Sequence, residues 1–194
     1  MKYWPALALL VVLTGCSSED PASTFEPGAQ LEHLQIAQES VQIRRFASAQ
    51  DSYAVYYRYP SQQASGSWQD WDNRSASIGV ETSLLDSPVA ASQPALYSEL
   101  PVGELQLLLN DQRLSLSRDS DGQLRSDGNG CQLSGERLAE FVAGADQISL
   151  TLQQCGELDG HYQGVLFADP TLAPAAADLI VSNSDTVLDL LLYR

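Results

Sequence analysis

The stretch LQLLLNDQRLSL, residues 105–116, predicts an antiparallel hairpin and is the strongest indication of the fold. Asn110-Asp111-Gln112 supplies turn residues between its two arms. Apolar side chains alternate along both arms, as a half-buried strand requires: Leu105, Leu107, Leu109, Leu114 and Leu116. The period of two continues elsewhere, in the tyrosine-rich run 53–59, in 148–152 and in 162–167.

Two segments carry helical rather than strand signals. Ser134 can cap a short helix that ends near Gly144, because Leu138, Phe141 and Val142 share one helical face. The apolar run 187–193 fits either a terminal hairpin or a C-terminal helix. We therefore expect a single β-rich α+β domain, with a largely antiparallel meander sheet and one or two short helices.

The N-terminus has the pattern of an export signal. Lys2 precedes an apolar run from Ala6 to Leu13, which is too short to span a bilayer and is followed by small residues and Cys16. Leu13-Thr14-Gly15-Cys16 resembles the lipobox of Gram-negative bacterial lipoproteins. The resemblance implies cleavage before Cys16, palmitate-type acylation of that residue, and a lipid anchor instead of a membrane span.

The resemblance also divides the chain. Residues 1–15 form the expected signal peptide, and residues 16–30 form an acylated, flexible tether. Residues 31–194 form one β-rich periplasmic domain. Ser17 after the cysteine, where aspartate is the usual inner-membrane retention signal, implies an outer-membrane location on the periplasmic face.

The remaining cysteines, Cys131 and Cys155, have only one possible pairing within the chain. In an oxidising periplasm they are expected to form a disulfide. They are too far apart in sequence to form a C-x-x-C redox motif, so a thioredoxin-like role is disfavoured.

The charge composition excludes one class of partner. Lys2 is the only lysine, and the chain carries 25 acidic residues and a net charge of −15. The largest basic cluster is Arg44-Arg45, whereas nucleic-acid binding requires a basic face. We expect a membrane contact through the acyl group and an envelope protein partner, but no nucleic acid.

No catalytic, metal or cofactor site is predicted. His161 beside Asp159 has no second histidine nearby in sequence and is interpreted as an exposed turn residue. Trp68 and Trp71 lie in a Ser-, Gln- and Asp-rich segment, 60–74, which is interpreted as a loop. These rings form a candidate binding surface, although they also suit a position covering the sheet.

Two functional hypotheses remain open from the sequence. In the first, the protein is a non-catalytic binding or scaffolding module of the cell envelope. In the second, it is a carboxylate-dependent envelope hydrolase that acts on glycan. A cleft with two facing carboxylates and raised pKa values would favour the hydrolase.

Overall fold

A computed structural model describes residues 28–36, 39–48, 51–58, 63–71, 74–78, 91–127 and 130–194. It contains two antiparallel sheets. The flanking sheet has six strands in the order β5-β4-β3-β2-β1-β6. Its strands are β1 (Gly28–Ile36), β2 (Glu39–Ala47), β3 (Asp51–Arg58), β4 (Ala64–Trp71), β5 (Arg74–Ile78) and β6 (Ala91–Pro94).

The second sheet is an eight-stranded meander, in which strands that are consecutive in sequence are neighbours in the sheet. Its ends meet where Gln106 and Tyr193 exchange two backbone hydrogen bonds of 2.8 Å, so the sheet forms a nearly closed barrel. The strands are β7 (Gly103–Leu109), β8 (Gln112–Arg118), β9 (Leu124–Asp127), β10 (Gln132–Val142), β11 (Ala145–Gln153), β12 (Gly160–Phe167), β13 (Ala177–Ser182) and β14 (Val187–Leu192).

The predicted α+β class is wrong. The only helical segments in the described residues are the 3₁₀ turns Gly156–Leu158 and Pro170–Leu172. The strands of the second sheet do form an antiparallel meander, but the meander closes into a barrel, and the one or two predicted short helices are not formed in the described residues. An eight-stranded barrel can be filled by its own side chains, so no helix is needed to bury its inner face.

The helix predicted from Ser134 to Gly144 is strand β10. Its pairing with β11 shifts register between Arg137 and Ala139 and again between Glu140 and Val142. The burial of β10 nevertheless alternates, with Leu133, Gly135 and Phe141 buried and Ser134, Glu136 and Leu138 exposed. The spacing resembles a helical face because the exposed Leu138 is apolar and combines with Phe141 and Val142 in the sequence pattern.

Two apolar cores follow from this architecture. The barrel core contains buried residues from its strands, among them Leu105, Leu116, Leu124, Ile148, Leu150 and Leu179. The second core joins the flanking sheet to the barrel, with the Phe46 ring 5.7 Å from that of Phe141 and 5.4 Å from that of Phe167. Aromatic pairs at these separations stabilise the contact between the two sheets.

The predicted β7–β8 hairpin is confirmed, with Leu109 opposite Gln112. The C-terminal segment, left open between hairpin and helix, is the β13–β14 hairpin. The predicted disulfide is present between Cys131, just before β10, and Cys155, after β11.

The hairpin turn offers a test of local backbone strain. Asp111 has a φ of +61°, a left-handed conformation that glycine adopts more readily than a residue with a side chain. Asp111→Gly is expected to raise the free energy of unfolding by about 0.5–1 kcal/mol, measured by denaturant titration. Asp111→Ala is the control and should lower it; a gain from both substitutions would contradict the conformational explanation.

Candidate functional site

A cavity of about 470 Å³ lies where the flanking sheet meets the end of β12 and the chain that follows it. Strands β1, β2, β3 and β6 contribute one side of it, and the 3₁₀ turn Pro170–Leu172 contributes to the other. Its described lining includes Leu31, Arg44, Tyr57, Tyr97, Asp169 and Leu172. The volume is within the range of small-molecule sites.

Arg44 is the central polar residue of this cavity. The alternation of β2 turns it toward the barrel on the same face as Phe46, and only 7% of its side chain is exposed. Its guanidinium carbon lies 5.6 Å from the centre of the Tyr57 ring and 5.3 Å from that of Phe167. These rings provide cation–π contacts to a charge that has little water around it.

Asp169 neutralises the Arg44 charge. Its Oδ2 lies 2.6 Å from Arg44 Nη1, and its own side chain is 7% exposed. The Asp169 Oδ1 accepts hydrogen bonds from the Thr171 backbone N–H at 2.8 Å and from the Thr171 hydroxyl at 2.7 Å. Both carboxylate oxygens are therefore held in place, and the ion pair joins the flanking sheet to the barrel.

Two polar groups in the cavity lining, the Arg44 guanidinium and the Tyr97 hydroxyl, interact with each other. Their side-chain hydrogen bond raises the pKa of Arg44 and lowers that of Tyr97. Arg44 Nε and the Tyr97 hydroxyl oxygen are both buried from solvent.

Electrostatics keep these two groups protonated. Burial lowers the pKa of Arg44, but Tyr57, Tyr97 and Asp169 outweigh that effect, so the pKa is raised overall. Burial raises the pKa of Tyr97 to about 12, although the nearby Arg44 charge lowers it. At neutral pH, Arg44 is a cation and Tyr97 is a phenol that can donate.

A buried carboxyl lies behind Tyr57. Asp178 on β13 is 2% exposed, and its Oδ2 lies 3.4 Å from the Tyr57 hydroxyl. Burial raises the pKa of Asp178 well above its usual range, and the neighbouring Asp189 raises it further, whereas Arg44 and Tyr57 lower it. Neither Asp178 nor Asp189 belongs to the described lining of the cavity. Asp178 therefore lies inside the contact between the two sheets, whereas Asp189 is half-buried.

Asp178 gives the protein a pH-dependent stability. Because its folded-state pKa is raised, the folded state favours the protonated carboxyl, and stability is lost as pH rises through that pKa. Asp178→Asn is expected to raise the free energy of unfolding at neutral pH by about 1–2 kcal/mol and to flatten its fall with pH, since asparagine is neutral and needs no proton uptake on folding. Denaturant titrations from acid to neutral pH test this. Asp185→Asn, in an exposed turn, controls for net charge; equal slopes for Asp178→Asn and wild type would contradict the prediction.

The residues predicted from sequence are not brought into this cavity. Cys16 lies outside the described residues. Trp68 and Trp71 lie in β4, which pairs with β3 and β5, so the segment predicted as a loop is largely strand. The positions of the two tryptophan side chains lie outside the described part of the chain. His161 is exposed in β12, where its Nδ1 lies 3.0 Å from the Thr151 hydroxyl.

Sequence reasoning missed Arg44 as a site residue. The sequence analysis treated Arg44-Arg45 only as the largest basic cluster. A cation among the apolar residues of the strand segment 41–46 could, however, have indicated a charged side chain on a buried strand face. Asp169 and Tyr97 could not have been linked to it, because both lie far away in sequence and reach Arg44 only through the packing of the two sheets.

The fold and cavity define an all-β protein in which a six-stranded sheet packs on a nearly closed eight-stranded barrel. Comparisons with family models, curated proteins and solved structures gave no match. Among the described residues, no helix is long and apolar enough to cross a membrane.

Proposed function

We propose that this chain is an outer-membrane-anchored lipoprotein that acts as a non-catalytic binding module of the cell envelope, with the Arg44 cavity as a binding site. The anchor is the acyl group on Cys16, whose context resembles a lipobox. The disulfide between Cys131 and Cys155 is consistent with an oxidising compartment. The periplasmic face of the outer membrane is the proposed location.

The observation that carries the binding role is the cavity of about 470 Å³ itself, whose lining combines apolar side chains with the polar side chains of Arg44, Tyr97 and Asp169. Concave sites of this size that contain a few convergent polar groups are typical of ligand sites. Arg44 is fixed by Asp169, so this polar part of the lining is held in one arrangement before a ligand arrives. A preorganised site reduces the ordering cost of binding.

The geometry favours binding over hydrolysis. The carboxylate in the described lining, Asp169, is engaged by Arg44 and Thr171. The carboxyl with a raised pKa, Asp178, is enclosed behind Tyr57 and outside that lining. General acid–base catalysis requires such groups within hydrogen-bond reach of the substrate.

Metabolic labelling with radioactive palmitate tests the anchor. The wild-type protein is expected to incorporate label and to fractionate with the outer membrane, whereas Cys16→Ala should do neither. Equal labelling of both proteins, or labelling of neither, would contradict the lipid anchor.

Crosslinking in intact cells tests the binding role and distinguishes two surfaces. Gln93→Trp places a large side chain at the exposed margin of the cavity. If the cavity binds the envelope component, capture of that component is lost with Gln93→Trp and retained when Trp68 and Trp71 are both changed to alanine. The opposite result would assign binding to the tryptophan surface. Capture unaffected by either change would contradict both sites.

A further inference from the structure

We propose that Asp178 and Asp189 share one proton, and that this proton couples the docking of strand β4 on the barrel to pH. The two residues lie where the flanking sheet meets strands β13 and β14. The inference does not depend on the lipid anchor or on a ligand of the cavity. It is carried by a hydrogen bond between two acidic side chains, which requires a proton on one of them.

The β13–β14 hairpin brings the two carboxyls together. Asp189 lies opposite Ile180, so Asp178 is its diagonal neighbour on the adjacent strand. Ile180 belongs to the core between the two sheets, and Leu179 belongs to the barrel core. The face that Asp178 shares with Ile180 therefore points to the flanking sheet. A side-chain hydrogen bond joins the two carboxyls on that face.

This hydrogen bond requires a protonated carboxyl. Two carboxylates present only acceptors to each other, whereas a protonated carboxyl can donate. Within the described residues, Asp178 Oδ1 is buried and accepts no hydrogen bond from a donor. A proton on one of the two side chains supplies the donor that their contact otherwise lacks.

The surroundings favour keeping the proton on Asp178. Burial raises the pKa of Asp178 well above its usual range, and Asp189 raises it further. The other charged or titratable groups described around Asp178 are Arg44 on β2, Tyr57 on β3 and Tyr97 on the chain after β6. Of these, only Arg44 is a cation, and its Nη1 lies 2.6 Å from Asp169 Oδ2. Burial keeps both phenols uncharged by raising their pKa values. A second negative charge at this junction would therefore have no cation of its own.

Loss of the proton would place two negative charges in contact. Asp178 is 2% exposed, whereas Asp189 is half-buried, so the Asp189 carboxylate can relieve the repulsion by turning toward water. Its Oδ2 accepts a hydrogen bond of 2.6 Å from the backbone N–H of Ala64 on β4. Turning Asp189 outward breaks this bond, so ionisation of the pair loosens β4 from the barrel.

The opening is local, because other contacts hold the rest of the junction. The ion pair between Arg44 and Asp169 and the aromatic core around Phe46 do not include the carboxyl pair. Tyr57 connects the pair to the cavity, since its hydroxyl lies 3.4 Å from Asp178 Oδ2 and its ring belongs to the cavity lining. The protonation state of the pair therefore reaches the cavity wall.

Carbon-13 NMR of the aspartate carboxyl carbons tests the shared proton, in the full-length protein carrying Cys16→Ser. The pair is expected to keep one proton well above the usual range of aspartate and to lose it in a separate step. Asp189→Asn removes the neighbouring charge and is expected to move the ionisation of Asp178 to lower pH by about one unit. Ionisation of both carboxyls within the usual range would overturn the proposal.

Hydrogen exchange of the Ala64 amide tests the coupling to docking. Its protection factor, which corrects for faster intrinsic exchange at high pH, is expected to fall about tenfold as the pair loses its proton, the factor that corresponds to one pKa unit. The Gln106 amide, which donates to the Tyr193 backbone oxygen at the barrel seam, is the control and should keep its protection. A constant protection factor at Ala64, or an equal fall at both amides, would overturn the local coupling.

Asp178→Asn is the matched variant, because its amide is neutral and can donate to Asp189 at every pH. It is expected to make the protection factor of Ala64 independent of pH. Asp185→Asn, in an exposed turn, changes the net charge equally and should retain the wild-type pH dependence. If the protection factor of Ala64 still fell with pH in Asp178→Asn, the shared proton would not be its cause.

Discussion

Replacing Arg44 with methionine is expected to lower the free energy of unfolding by about 3–5 kcal/mol, because it leaves the Asp169 carboxylate buried without its cationic partner. Methionine keeps the length and much of the packing of the side chain. The two hydrogen bonds from Thr171 satisfy Asp169 Oδ1 but not Oδ2. Denaturant titration at neutral pH measures the loss.

A double-mutant cycle separates the charge effect from lost packing. Asp169→Asn keeps a side-chain oxygen that can accept from Thr171 and removes the negative charge. In the combined variant Arg44→Met with Asp169→Asn, no buried charge is left unpaired at this contact, so much of the lost stability should return. Losses that simply add would show that packing against Tyr57 and Phe167, and not the ion pair, is the main contribution of Arg44.

The same ion pair explains why the barrel and the flanking sheet are expected to unfold together. Arg44 lies on β2 and Asp169 follows β12, so the contact spans the junction of the two sheets. The Tyr53 hydroxyl crosses the same junction to Ser182, and the backbone N–H of Ala64 donates to Asp189 Oδ2 at 2.6 Å. Polar contacts thus accompany the aromatic core and set the relative position of the sheets that form the cavity.

Local sequence patterns predicted those elements whose alternation is regular. Strands β7 and β8 have strict period-two burial and a turn with two positive φ angles, at Asn110 and Asp111, so the pattern and the structure agree. Strand β10 was missed because its exposed Leu138 is apolar and its buried position 135 is a glycine, so the alternation of burial is not visible in the sequence. Strand β4 was missed because Ser, Gln and Asp dominate the segment, and pairing with two neighbouring strands outweighs that composition.

Closure of the barrel and formation of the cavity depend on contacts that no local pattern contains. The bridge between Gln106 and Tyr193 joins the first and last strands of the meander. Similarly, Arg44, Tyr97 and Asp169 come from three distant segments, and their proximity depends on how the flanking sheet docks on the barrel. The sequence could identify a charged residue within an apolar strand, but not the partner that it would meet.

Removing the disulfide is expected to lower the free energy of unfolding by about 3 kcal/mol. Cys131 and Cys155 are separated by 24 residues, and in the chain-entropy model a closed loop of that length restricts the unfolded chain by this amount. Denaturant titration of the Cys131→Ser, Cys155→Ser double variant measures the effect. Both proteins carry Cys16→Ser, so that no third thiol is present. A reducing agent should destabilise the Cys16→Ser protein equally and leave the double variant unchanged.

The position of the disulfide in the barrel predicts where the reduced protein opens first. Strand β10 pairs extensively with β11, whereas its described pairing with β9 is short: Ser134 lies opposite Arg125 and Gly135 opposite Leu124, and the Leu133 backbone N–H donates to Ser126 Oγ at 2.7 Å. The disulfide fixes the open end of the β10–β11 hairpin, next to the short pairing between β10 and β9. Hydrogen exchange should therefore increase in β9 and the first half of β10 upon reduction, more than in β12 and β13. A uniform increase over all barrel strands would show that the disulfide acts only on the unfolded chain, without restraining this junction in the native protein.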